Sequence, residues 1–171
     1  RVTRLPQVPV SMRPALWWRM LKPRDPDYEQ RVRASFARQA AMSTIGATVV
    51  SVTPGEVVLE LPFRADLTQQ HGFLHAGIVT SVVDSACGYA ALSLMEPGAA
   101  VLSVEFKVNL LAPARGTLFR AIGRVVRAGR TVTVVSGELR ALGGGTNAAD
   151  EVVAIMTGTM MAVRDRPGLV D

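Results

Sequence analysis

Between Ala76 and Met95 the chain runs for twenty residues with no proline, no strand-like alternation and a single charge, Asp84. Ile78, Val79, Val82, Val83, Ala86, Ala90 and Leu94 recur at helical spacing, which predicts one long helix that is apolar on most of its surface. A helix of that kind is stable only when the rest of the chain covers it. Ser85, Ala86, Gly88, Ala90 and Ala91 are small, so a covering layer can approach the helix backbone closely. Glu96-Pro97-Gly98 ends the segment.

The flanking sequence supplies the cover. Ala47 to Val52 is a β-branched run, and Thr53-Pro54-Gly55 is a turn. Glu56 to Phe63 alternates, with Val57, Leu59, Leu61 and Phe63 on one face. After a polar loop over 64–74 and the long helix, Val101 to Leu111 alternates again, which puts Leu102, Val104, Phe106, Val108 and Leu110 on one face. Thr117–Arg127 and Thr131–Ala141 flank Ala128-Gly129-Arg130, a hairpin signal. Leu142 to Asp150 is a glycine-rich loop, and Glu151–Val163 is the last strand. Upstream, Asp27 to Ser43 reads as a helix capped by Asp27 and stopped at Gly46. Strands joined by hairpin turns around one buried helix make an α+β fold, an antiparallel sheet wrapped on a long central helix and preceded by an N-terminal helix.

Charge divides the chain into two parts. The first forty residues hold nine Lys/Arg and three Asp/Glu, and the remainder holds ten and eleven. The basic excess therefore belongs to the N-terminal segment. The body lacks the basic surface interleaved with aromatics that nucleic-acid binding needs. Residues 1–26 carry five of the ten prolines and form an arm, with room for one short helix at Ala15–Leu21 anchored by Trp17 and Trp18. The remaining residues, 27–171, form the main domain. No apolar run is long enough for a membrane span, residues 1–26 lack the apolar stretch of a secretory signal, and one cysteine, Cys87, precludes an intrachain disulfide. These features point to the cytoplasm.

The chemistry concentrates at the start of the long helix, in Gln69-Gln70-His71-Gly72-Phe73-Leu74-His75-Ala76-Gly77 and then Asp84. A carboxylate inside an apolar helix is costly unless it is hydrogen-bonded or used. Two readings stand side by side. Asp84 is a general base or nucleophile, or it is a structural carboxylate bonded to hydroxyls such as Thr80 or Ser81.

Gln69-x5-His75-Ala76-Gly77-x6-Asp84 resembles the PaaI-type branch of the hotdog-fold acyl-CoA thioesterases, whose pattern sets Asn before His-Gly-Gly and an Asp in the following helix; the His-to-Asp interval of nine matches. Leu102 to Ala114 and Gly123 to Thr131 resemble the family's later strands, so the likeness covers about residues 28–163. It implies a hotdog fold and hydrolysis of an acyl-CoA, with no cofactor because CoA belongs to the substrate. By this resemblance Asp84 activates or makes the attack on the thioester carbonyl, and the Ala76 N–H polarises that carbonyl. Gln69 stands where the family has the Asn that orients water, and Ser103 falls near that water. Ala76 in place of glycine keeps the N–H, and Gln69 keeps the amide with one methylene more.

Elementary chemistry agrees with those roles. Thioester hydrolysis builds negative charge on the carbonyl oxygen, and a helix N-terminus offers unpaired N–H groups, here from Ala76 and Gly77. Yet Ala76 and Asp84 are eight residues apart on one helix, about 12 Å at ~1.5 Å per residue. Both groups must reach one carbonyl within ~3 Å. A two-fold partner with an antiparallel helix meets that demand, so the expected unit is a homodimer, with a homotetramer as its larger assembly.

Other readings of these residues are weaker. His71 and His75 have a zinc-like spacing, but Gly72 and the loop argue against a helical pair, so no metal site is expected. Cys87 lies in a small-residue helix and reads as a packing residue. No Gly-x-Ser-x-Gly elbow is present. Arg124, Arg127 and Arg130 are candidates for the CoA phosphates, or are solvated strand-end charges. The main alternative function is a non-catalytic acyl-CoA-binding sensor, for which the departures at Gln69 and Ala76 would mark lost activity. Residues 1–45 are too short and proline-broken for the DNA-binding module such sensors carry.

Overall fold

The computed structural model describes residues 21–143, 150–169 and 171. The expected short helix at Ala15–Leu21 thus lies almost wholly outside the described residues. Three α-helices, α1 (Tyr28–Arg38), α2 (Ala40–Ile45) and α3 (Ala76–Leu92), accompany six strands: β1 (Thr48–Thr53), β2 (Glu56–Pro62), β3 (Ala100–Leu110), β4 (Leu118–Ala128), β5 (Val132–Leu142) and β6 (Glu151–Val163). The sheet is antiparallel throughout, in the order β1-β2-β4-β5-β6-β3. After α3 the chain therefore crosses to the opposite edge of the sheet, and α3 lies along the concave face.

Two glycines show how closely helix and sheet meet. Gly123 and Gly137 face each other across β4 and β5. A methyl on Gly123 would stand 2.3 Å from the backbone C and O of Ala86, and one on Gly137 would stand 2.5 Å from Val83 Cγ1 and 2.7 Å from Cys87 Sγ. The small residues of α3 are thus half of the explanation, and the sheet contributes the other half. Val57, Leu59, Leu61, Phe119, Ala121, Val125, Val135, Leu139, Met156 and Met160 fill the concave face around this contact and are buried. Phe63, expected on that face, lies beyond the end of β2 and is exposed.

The structure departs from the sequence reading in α1 and β3 as well. The N-terminal helix is broken at Gln39, whose backbone is extended (φ −79, ψ 90), so 27–43 becomes two helices. Asp27 makes no side-chain cap bond; instead the Asp27 N–H donates to Asp25 Oδ1 at 2.9 Å. The face expected along β3 is also divided. Leu102 opposes Met161 and Ser103 opposes Met160, but Glu105 opposes Thr159, so Val104 is an extra residue in a β-bulge. Opposed residues share a face. The bulge therefore turns Leu102 to the convex side, while Ser103, Phe106, Val108 and Leu110 face the concave side.

Arg31 secures the C-terminal end of α3. Its guanidinium, nearly buried, donates to the carbonyls of Leu92, Met95 and Glu96 at 2.6–2.9 Å and pairs with Asp25 at 3.1 Å. It satisfies acceptors that a helix end leaves open. Gly46, in the left-handed region at φ 81, closes α2 as expected.

Candidate active site

The loop before α3 is held by its own backbone. Gln69 N–H donates to the Phe73 carbonyl and Gly72 N–H to the Gln69 carbonyl, with Gly72 at φ 81. The Gln69 side-chain oxygen accepts from the His71 N–H. His75 N–H and Leu74 N–H donate to Leu67 and Ala114. These bonds place His75 as the N-cap of α3, with φ −64 and ψ 139.

His75 does specific work there. Its Nδ1 accepts the Gly77 N–H at 2.9 Å, which in the neutral ring puts the proton on Nε2. A Cβ on residue 77 would meet that ring nitrogen at 3.1 Å, so glycine leaves room for the cap. Gly77 therefore does not offer its N–H to a ligand, contrary to the expectation that both Ala76 and Gly77 supply donors. The Ala76 N–H takes no acceptor among the described residues and stands at the positive end of the α3 dipole.

Asp84 lies two turns further along. Ser103 Oγ donates to its Oδ1 at 2.8 Å and also touches Met160 Sδ at 3.3 Å. Burial pushes the Asp84 carboxyl above the ordinary aspartate range, and the Ser103 bond partly opposes that. Thr80 and Ser81, the hydroxyls of the structural reading, donate instead to the Ala76 and Gly77 carbonyls. Ser103 and Asp84 are thus brought together within the chain. Gln69, His75 and Ala76 gather at the other end of the same helix segment, about 12 Å away at ~1.5 Å per residue.

Cys87 is buried against the sheet; burial, and then the Asp84 charge, push its thiol up to about 12. A thiolate nucleophile there is disfavoured. Among the described residues no three His, Cys, Asp or Glu side chains are grouped to hold a metal ion, and no helix is long and apolar enough to cross a membrane.

The three arginines separate. Arg124 lies on the convex face, where it pairs with Glu56 at 2.7 Å and Glu138 at 3.3 Å. Arg127 and Arg130 are exposed at the β4–β5 hairpin, and Arg130 lies near the C-terminal end of α3. The sequence reading missed Ser35 and Asp171, which with Tyr89 line a cleft of about 340 Å³ beside Asp84 and Ser103. Tyr89 carried a signal of its own, as a polar tip in an apolar helix.

Comparison with known proteins agrees with this architecture. Residues 71–148 match the thioesterase superfamily model. A thioesterase family protein from Silicibacter pomeroyi, known from its crystal structure, is 53% identical with a TM-score of 0.77, over 81% of this chain and 99% of that one. The 1,4-dihydroxy-2-naphthoyl-CoA hydrolase of Listeria monocytogenes is 30% identical over 53% of this chain and 74% of its own length. The E. coli PaaI protein shares the fold, with a TM-score of 0.69 at 22% identity over 82% of this chain and 94% of that one. With its central helix, wrapped sheet and matching sequence, the chain belongs to the thioesterase superfamily.

Proposed function

We propose that the protein hydrolyses acyl-CoA thioesters to free acid and CoA at a site shared between two copies of itself. The observation that carries this is a division along α3: an N–H at Ala76 with no acceptor among the described residues and a partly buried carboxylate at Asp84, too far apart to serve one carbonyl. The side of α3 that its own sheet leaves uncovered runs through Gly77, Ser81, Asp84 and Gly88, and a methyl on Gly88 would meet nothing within 4 Å. Beside it the edge strand β3 exposes Val104, Phe106 and Leu110, with Leu111 just beyond. An apolar edge of this kind invites a second chain. An antiparallel copy of α3 there sets Ala76 of one protomer against Asp84 of the other and makes two equal sites.

In this reading the Ala76 N–H stabilises the developing oxyanion. Asp84 either takes a proton from the attacking water, or attacks the carbonyl itself to form a mixed anhydride that water then cleaves to the free acid; in both cases the C–S bond breaks and CoA departs as a thiolate. Ser103 fixes the Asp84 carboxylate. Gln69, whose oxygen is held by His71, presents its amide nitrogen toward the water, and His75 fixes the first turn of α3. Arg127 and Arg130 meet the CoA phosphates; the charge of Arg124 is already answered by Glu56 and Glu138. Support for the substrate class comes from the family and from the CoA hydrolase of Listeria monocytogenes. The lone buried Cys87 is in keeping with a cytoplasmic setting. Thiol release from a panel of acyl-CoAs is the test: turnover by wild type that falls by at least a hundredfold in Asp84→Ala is expected. Tight acyl-CoA binding without turnover by wild type would replace the hydrolase with a sensor.

A further inference from the structure

The cleft beside Asp84 has a definite direction. At one end are Asp84 and Ser103, joined by their hydrogen bond. From there it follows α3 through Ser85 and Gly88 to Tyr89, and β3 back through Leu102 and Val101 to Ala100. Five residues of helix advance about 7.5 Å. At the far end α1 supplies Ser35, and the segment after β6 supplies Gly168, Leu169 and Asp171.

That segment is fastened at two points. Arg164 pairs with Glu96 and donates to the Arg130 carbonyl. Asp171 accepts from Ser35 Oγ at 2.7 Å and, through its other oxygen, from the Val101 N–H at 2.9 Å. One carboxylate thus bridges α1 and the edge strand across the end of the cleft. Behind it the Tyr89 hydroxyl lies 3.4 Å from Ser35 Oγ, and the Tyr89 ring packs edge-on to Phe36 at 5.6 Å. The core side of this end is buried, at Ser35 and Tyr89, whereas the side formed by Leu169 is partly exposed.

We propose that the Asp171 bridge and Leu169 form a stop that sets the length of the acyl group, confining the enzyme to short chains or a single ring. The inference rests on the hydrolase reading above and adds the substrate size to it. An acyl chain whose carbonyl is at Asp84 runs down the cleft and meets the bridge within about two helical turns. Chains longer than that must break two hydrogen bonds to the Asp171 carboxylate, each of the charge-assisted kind.

The experiment is a ladder of straight-chain acyl-CoAs from acetyl to palmitoyl, with kcat/KM measured for wild type, Ser35→Ala, Asp171→Ala and Leu169→Trp. Wild type is expected to lose at least tenfold between short and medium chains. Ser35→Ala and Asp171→Ala should raise the ratio of long-chain to short-chain kcat/KM at least fivefold, and Leu169→Trp should lower it and move the fall to shorter chains. A purely structural role would scale every chain length together and could not move the ratio in opposite directions. An identical ladder in all four proteins, or equal losses at every length, overturns the inference and leaves hydrolysis standing. No turnover of any acyl-CoA by wild type overturns the hydrolase reading and the inference with it.

Discussion

Asp84 is held between two opposing influences, and the balance gives it a measurable signature. Burial raises its pKa and the Ser103 hydrogen bond lowers it, with burial the larger. Only the ionised form can act as base or nucleophile, so kcat/KM should rise with pH to a plateau along an acid limb above the usual aspartate range. In Ser103→Ala the lowering influence is gone, and the limb should move to higher pH. The same shift affects stability. The unfolded chain ionises at the ordinary aspartate pKa while the folded one resists, so stability falls as pH rises from that value to the raised one and stays lower above it. Asp84→Asn should therefore melt at a higher temperature than wild type near neutral pH while losing activity. Ala76 allows a cleaner substitution. Proline is well suited to the first helical position, and His75 already has the extended backbone that a following proline requires. Ala76→Pro should keep the fold and remove only the N–H, costing about a hundred- to a thousandfold in kcat; full activity would take the oxyanion role away from Ala76.

At the scale of elements, the contact of α3 on Gly123 and Gly137 leaves no room for a methyl at either position. A methyl at 123 meets helix backbone, which cannot turn aside as a flexible side chain can. Gly123→Ala should cost stability at the upper end of the ~1–3 kcal/mol typical of overpacking, read as a lowered denaturant midpoint. The helix itself was legible in the sequence because a twenty-residue segment with apolar residues at helical spacing and no proline has few other fates. The strands were legible from alternation and turn residues. The bulge at Val104 was not, since an extra residue in a strand leaves the apolar pattern intact and shows only against the partner strand. The break at Gln39 was equally hidden, because neither Gln39 nor Ala40 disfavours a helix. In the site, Asp84 stood out as a lone charge, and Ser103 was found only through family likeness. Asp171 had no local signal, being 136 positions from Ser35, with which it bonds.

For the whole molecule, the uncovered face of α3 and β3 makes the proposed dimer testable by complementation. Ala76→Pro and Asp84→Ala each disable one half of the site. In a mixed dimer one site receives both defects and the other receives none. Random pairing makes half the dimers mixed, so co-refolding the two inactive proteins should restore about a quarter of wild-type activity. A site contained within one chain would recover nothing. The glycine seat under α3 acquires a mechanical meaning from this symmetry. If the helix slid along its own axis in each protomer, the rotation axis would reverse the slide in the companion, and the gap between amide and acid would change by double the slip. Seating bare backbone on bare backbone at residue 123 leaves that helix little travel, so alignment across the boundary is set by a pair of missing methyl groups deep in each subunit.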